Sequence, residues 1–225
     1  MNMTTKNLSK PDRAGRQPPA DCGFCPRLSD FRNQNQLAHP GWFNAPVPSF
    51  VAGREEKLLI VGLAPGLQGA NRTGRPFTGD YAGDLLYATL LKFGFATGQY
   101  DKRADDGLQL HGCRITNAVR CVPPQNKPLT AEIKACRPFL GAEIERMDDL
   151  KVILALGRIA HESLLGAYGL VRARHPFAHG AAHSLPGGLT LCDSYHCSRY
   201  NTNTGRLTEP MFDDVFMSIQ TILDS

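Results

Sequence analysis

The sequence predicts an α/β domain built on a mainly parallel four-stranded sheet with helices on both faces. Two observations carry this. From Lys57 onward, short apolar runs alternate with segments of helical periodicity. The apolar runs are continuous rather than alternating, as strands buried on both faces are. The first run, "KLLIVGL", is a buried strand ending in glycine. "DYAGDLLYATLLKFG" follows as a helix, with Leu85, Leu86, Leu90 and Phe93 at helical spacing and Gly94 as the stop. "CRITNAV" is the second strand. "LTAEIKACRPFLGAEIERM" is the next helix, with Thr130 as its N-cap and Pro138 inside the pattern. "KVILALG" and "RIAHESLLGAYG" are the third strand and its helix. "GLTLCDSY" is the fourth strand, and "EPMFDDVFMSIQTIL" closes the fold with Pro210 in its first turn.

The flanking regions differ. Residues 1–20 are rich in Pro, Lys, Arg and Ser and read as a disordered tail before a single domain over residues 21–225. Residues 21–53, with four prolines and little periodicity, read as irregular structure pinned by something else. The chain has 225 residues, of which 42% are hydrophobic, enough for a buried core. No stretch approaches the roughly 20 apolar residues of a membrane span. The first 20 residues have no apolar h-region, which points to a cytoplasmic protein, nucleoid-associated if bacterial. A net charge of +4 does not by itself identify a nucleic-acid partner. Arg72, Arg75, Arg172, Arg174, Arg199 and Arg206 follow strands closely enough to raise phosphate contact against ordinary surface charge.

In a reducing compartment the seven cysteines need a reason other than disulfides. Cys22 and Cys25 form a C-x2-C pair, while Cys121 follows a strand and Cys136 lies on the next helix. Four thiolates suit zinc or an iron–sulfur cluster, and spacing does not decide between them. Cys113 and Cys192 lie inside strands and read as buried thiols; Cys197 is open.

Ligands of parallel α/β sheets bind beyond the carboxyl ends of the strands. Three polar segments sit there. "GLAPGLQGANRTGRPFTGDYAGDLL" matches neither a Walker loop nor a dinucleotide fingerprint, yet its length marks it as functional. Its glycines admit close backbone approach, Phe77 offers a flat apolar face, and Asp80 is either a functional carboxylate or a helix N-cap. Asn117 ends the second strand; its amide matches the edge of a pyrimidine or is a turn residue. "SYHCSRYNTNTGRLT" leaves the fourth strand as a polar loop.

Taken together, "GLAPG…NRTGRPFTGDYAGDLL", "ITNAVRCVPPQNKP" and "SYHCSRYNTNTGRLT", with the four cysteines, resemble the uracil-DNA glycosylase superfamily, most closely its iron–sulfur family 5. The likeness runs from Cys22 to Thr208. It implies a three-layer α/β/α sandwich around a four-stranded parallel sheet. It also implies a [4Fe–4S] cluster on Cys22, Cys25, Cys121 and Cys136. The implied activity is excision of uracil and other deaminated bases, such as hypoxanthine and xanthine, from double- and single-stranded DNA by a monomer.

The resemblance also implies roles. Phe77 would stack on a flipped base and Asn117 would bond its polar edge. His196 would donate to the base oxygen, and Asp80 would hold water and stabilise a cationic sugar. Gly62, Ala64, Pro65, Gly66 and Leu67 would line the base, and Ser198, Arg199, Tyr200, Asn201 and Arg206 would meet DNA, with Arg199 or Tyr200 as the wedge. Related branches carry an aspartate and a tyrosine where this chain has Ala64 and Gly66, and a glutamate where it has Leu63; their absence opens the pocket and moves water handling to Asp80. The usual His-Pro-Ser reads His196-Cys197-Ser198 here, which loosens the loop and exposes a thiol to oxidation. That departure keeps a second reading, a catalytically weak DNA-damage binder. A zinc-stabilised interaction domain is a third.

Overall fold

The computed structural model describes residues 17–225; residues 1–16, most of the expected tail, lie outside them. Within residues 17–20, Pro18 is buried and the exposed Gln17 hydrogen-bonds Arg120 and Ser49, so the chain is anchored from Gln17 onward although Pro19 and Ala20 face solvent. The next correction is α1, Pro26–Ala38, a 13-residue helix where irregular structure is expected. It escapes pattern reading because it is polar nearly all round and buries only Leu28, Arg32 and Asn35.

The expected parallel strands are all present: β2 (Leu58–Gly62), β5 (Cys113–Asn117), β6 (Val152–Leu156) and β8 (Thr190–Ser194). They pair parallel in the order β5-β2-β6-β8. The sheet is six-stranded and mixed, because short antiparallel strands close both edges. These are β1 (Phe50–Val51) on β5 and β7 (Ala182–Ser184) on β8. A separate two-stranded ribbon joins β3 (Ala96–Thr97) to β4 (Gln109–Leu110).

Successive strand residues point to opposite faces, and each face meets its own pair of helices. Leu58, Ile60, Ile115 and Leu154 pack with α3 (Tyr81–Lys92) through Leu86 and Leu90, and with α7 (Glu209–Asp224) through Phe212, Phe216 and Ile219. Leu59, Val61, Ile153 and Ala155 pack with α4 (Thr130–Ile144) through Leu140, and with α5 (Arg158–Ala167) through Leu164. The three layers are therefore a direct product of the period-2 strand pattern. Thr130 is the first residue of α4 rather than its cap; Leu129 takes that place, its N–H donating to Glu132 Oε2 at 2.7 Å. No helix among the described residues is long and apolar enough to cross a membrane.

One face of the β5 edge holds a buried ionic network. Glu143 on α4 accepts from Arg120, from Arg114 Nη1 at 3.2 Å, from Thr116 Oγ1 at 3.2 Å and from Gln17 Nε2 at 3.3 Å. Arg114 also pairs with Glu56. Burial alone would raise the Glu143 carboxyl, but Arg120, with Ser49 and Arg114, holds it below its ordinary value. Its contribution to stability is therefore present above the unfolded-state value near 4.5 and is lost as pH falls through the lower folded value. Glu143→Gln is expected to cost about 3–5 kcal/mol, because it leaves Arg120 buried without its anion. It should also flatten stability in the acid range. Urea melts from pH 3 to pH 7 measure both effects.

Candidate active site

All three predicted segments leave the same end of the sheet. Parallel register sets Gly62, the last residue of β2, beside Asn117, the last of β5. A Cβ on Gly62 would fall on the Phe77 ring and 2.5 Å from Asn117 Oδ1. The strand end must therefore be glycine for an aromatic face and an amide to meet over it. Asn117 is a buried strand residue rather than a turn, and its side chain makes no hydrogen bond to any described residue. Beyond Gly62, the N–H groups of Ala64, Gly66 and Leu67 likewise donate to no described protein group.

Phe77 has φ of 54°, a left-handed conformation costing a non-glycine residue about 1–2 kcal/mol. The surroundings hold it there. Tyr100 Oη donates to the Phe77 carbonyl at 3.2 Å, and Tyr87 Oη donates to Pro76 O at 2.6 Å. Gly83 has no Cβ, leaving room for that carbonyl. Arg75 is the main strut. It makes a buried two-point ion pair with Asp106 at 2.7 and 2.8 Å, donates to Thr78 Oγ1 at 2.7 Å and lies over the Phe50, Tyr87 and Tyr100 rings. Phosphate contact is thereby closed to Arg75, while Arg72, on the one-turn helix α2 (Ala70–Thr73), stays exposed.

Asp80 occupies the N-cap position of α3, but its side chain makes no capping hydrogen bond. Its Oδ1 is buried with no partner among the described residues, and Oδ2 lies 2.9 Å from where a Cβ on Gly66 would stand. Burial raises its pKa above the ordinary value, and the nearby Gly83 and Ala82 amides offset part of the rise. The first-turn amides thus lie near the carboxylate without closing a capping bond, which leaves Oδ1 able to accept from a ligand.

His196 follows β8. Its ring faces Phe77 at 5.9 Å between centroids and 28° between planes. Asn201 Nδ2 donates to the His196 carbonyl at 2.8 Å, and Ser198 Oγ caps a short helix, α6 (Arg199–Asn203), inside the expected loop. The imidazole keeps a solvent-facing edge, but protein surrounds it enough to lower its pKa to about 4. It is a neutral donor at physiological pH. Cys197 is buried in the core with Phe77 and Phe212. Burial, with the neighbouring Asp80 charge, raises its thiol pKa. This corrects the expectation of an oxidisable loop thiol, since the residue replacing proline is a core residue. Cys113 and Cys192 are buried as expected.

Around this centre, Arg199 lies over the Tyr81 ring at 5.2 Å and Arg206 over Tyr195 at 4.6 Å, while Tyr200 is 71% exposed. His196, Asn201 and Arg206 also line a cleft of about 320 Å³ with Gly157, Arg158, Phe177 and Tyr195. The sequence reading missed these last four; the only signal was a strand-end glycine and an aromatic–histidine run, "HPFAHGAAH". Another cavity, of about 270 Å³ and lined by residues of α7 and the β7–β8 edge, contains none of the expected site residues.

Cys22, Cys25, Cys121 and Cys136 line one small cavity with Leu28 and Phe139, and Ala64 packs on the same cluster. None is in a disulfide. Arg32 Nη1 donates to Cys121 Sγ at 3.1 Å and the Arg120 N–H to Cys136 Sγ at 3.4 Å. Among the described residues, no three of these sulfurs gather within 4.8 Å of one another.

A parallel α/β sandwich whose strand ends gather an aromatic face, a free amide, a neutral imidazole and an unpaired carboxylate defines a site for a flat, hydrogen-bonding ligand. Residues 48–220 match the family described as Uracil DNA glycosylase superfamily. The chain belongs to that superfamily, in its type-5 branch. It is 45% identical over 206 residues to the Type-5 uracil-DNA glycosylase of Thermus thermophilus, covering 89% of this chain and 93% of that relative. It is 43% identical over 203 residues to that of Mycobacterium leprae, covering 87% and 88%. The Type-4 uracil-DNA glycosylase of Pyrobaculum aerophilum is 35% identical over 113 residues, half of each chain.

Gly62→Ala is expected to destabilise the fold by about 1–3 kcal/mol through overpacking of Phe77 and Asn117. Denaturant unfolding beside wild type checks it.

Proposed function

We propose that this chain removes uracil from DNA by hydrolysing its N-glycosidic bond, and that it also accepts hypoxanthine and xanthine. The observation that carries the reading is the meeting of Phe77 and Asn117 over Gly62, with His196 facing the Phe77 ring and the Asp80 carboxylate beside Gly66 and Gly69 in the same loop. A base inside a duplex is unreachable, so the nucleotide must leave the stack. Phe77 then stacks on the base and the Asn117 amide bonds its polar edge. Tyr200 fits the vacated space, because Arg199 is already engaged by Tyr81. Ser198 and Asn201 hold the loop, and Arg206 presents charge toward the backbone.

Breaking the C1′–N bond leaves electron density on the base and positive charge on the sugar. Neutral His196 donates a hydrogen bond to the base oxygen where the negative charge gathers. The free N–H groups of Ala64, Gly66 and Leu67 point the same way chemically: they are donors without acceptors. Asp80 stabilises the sugar cation and orients the water that adds to C1′, with the water's proton leaving to solvent or the carboxylate. The small residues Ala64, Pro65 and Gly66 put no side chain across the base. A side chain at Gly66 would displace the Asp80 carboxylate. That contact supports both the open pocket and the transfer of water handling to Asp80.

The cysteine quartet suits a [4Fe–4S] cluster better than zinc. A single zinc with bonds of about 2.3 Å draws its thiolates together more closely than these sulfurs stand. The donors from Arg32 and Arg120 fit sulfurs that carry negative charge. The cluster would brace the start of the loop after β2, where Ala64 packs against the cysteines, and supply no step of the reaction. Fresh protein is expected to be brown with about four irons per chain, and Cys25→Ser to lose both; a colourless protein with one zinc would reject this assignment.

His196→Ala and Asp80→Ala are each expected to lower excision from a uracil duplex about 10²–10³-fold. Because His196 is neutral down to about pH 4, the rate should not fall as pH drops from 8 to 6 through the ordinary histidine range. Binding to uracil DNA with equal, negligible turnover in wild type and both variants would favour a damage-binding protein instead. Duplexes carrying hypoxanthine or xanthine test the base range, and strict uracil specificity would sink the open-pocket argument.

A further inference from the structure

On the opposite side of the β8 end from Phe77, three side chains from three elements converge. They are His161 on α5, His183 on β7 and Asp193 on β8. One ligand atom from each lies within 4.8 Å of the other two. His161 is 1% exposed and Asp193 is fully buried, while His183 reaches solvent on one side.

The hydrogen-bond pattern is unbalanced. His161 Nε2 lies 2.9 Å from the His175 carbonyl oxygen, which can only accept, so the ring proton sits on Nε2. The other ring nitrogen, Nδ1, faces Asp193 Oδ1 at 2.7 Å, where either a second ring proton or a metal ion must sit between nitrogen and carboxylate. Two acceptors do not approach that closely without a cation between them. Asp193 Oδ2 meets a second imidazole, His183 Nε2, at 3.3 Å. A metal-bound histidine characteristically donates its other N–H to a backbone carbonyl, as His161 does.

We propose that His161 Nδ1, His183 Nε2 and Asp193 bind one zinc ion, with water in the fourth position on the solvent side. Bonds of about 2.0–2.1 Å at tetrahedral angles set ligand atoms about 3.3 Å apart. His183 Nε2 stands 3.3 Å from Asp193 Oδ2, and His161 Nδ1 stands 2.7 Å from Oδ1. Binding would turn the carboxylate to present one oxygen to both imidazoles and open the shorter contact by about 0.6 Å. Two imidazoles and a carboxylate are a borderline ligand set that suits zinc over magnesium or calcium. The ion would tie β7 and the segment before it to the sheet. That segment carries Phe177, whose ring packs against His161 at 5.6 Å and lines the cleft beside His196. The zinc is thus a brace for one wall of the site and takes no part in bond cleavage.

The test uses the full chain, with iron content measured so that metal at the cysteines is counted separately. Zinc is removed by a mild chelator and then titrated back as zinc chloride against a chromophoric competitor. Elemental analysis gives the stoichiometry. Wild type is expected to bind one equivalent that His183→Ala loses or holds at least tenfold more weakly, and to melt several degrees higher with zinc than without. His183 is on a short edge strand and partly open to solvent, so its variant should fold; Asp193→Asn provides a second, isosteric removal of a ligand. Wild type that binds no zinc would overturn the proposal and leave a proton as the cation between His161 and Asp193. So would an equivalent that both variants retain.

Discussion

The site depends on a constraint of a few ångströms: nothing larger than hydrogen fits on Gly62. The parallel register places this residue against Asn117, and the loop after β2 brings Phe77 back across it. Both functional groups occupy the volume that any other residue would claim. The pocket is therefore a property of the sheet as much as of the loops. Three parallel strands fix where β2, β5 and β8 end, and their side-chain alternation locks each strand into one register. Loops could not hold an amide, an aromatic face and an imidazole at these separations without that platform.

The loop bearing Phe77 is strained, and the support for it comes from outside. Arg75, Asp106, Tyr87 and Tyr100 form a buried polar and aromatic clamp around the backbone of Pro76 and Phe77. Asp106 lies in the irregular stretch between β3 and β4, a region far from the strand ends in sequence. Burial alone would raise its carboxyl, but Arg75 and the Asp101 and Leu108 amides hold it down at about 2. On the other side, Glu143 joins α4, β5 and the amino-terminal segment beside the cysteine corner. Two buried arginines thus flank the pocket, each committed to a carboxylate and neither available to DNA.

Much of this was legible in the sequence because it rests on local pattern. Continuous apolar runs marked the four parallel strands, Asn117 ends β5 and His196 follows β8 as expected, and the loop after β2 brings Phe77 back to face both. What was not legible rests on partners distant in sequence. Nothing near Arg75 announces Asp106. A polar segment such as α1 carries no periodicity, because its burial is through Arg32 and Asn35 rather than an apolar stripe. Edge strands of two or three residues are too short to show alternation. Cys197 read as a loop thiol because its neighbours are polar, yet the chain turns it into the core. The His161, His183 and Asp193 group spans 32 residues and two kinds of element, so no spacing rule reveals it.

Asp80 gives the fold a different significance. Its buried, unpaired oxygen is a liability to folding, and a cap-forming serine at the same position would be better satisfied. A chain drifting under selection for stability alone would lose it early. In the role proposed for it, Asp80 sets chemistry against thermal robustness at a single position. Stabilising substitutions elsewhere, in the core or along the outer helices, are what give a lineage room to keep such a residue.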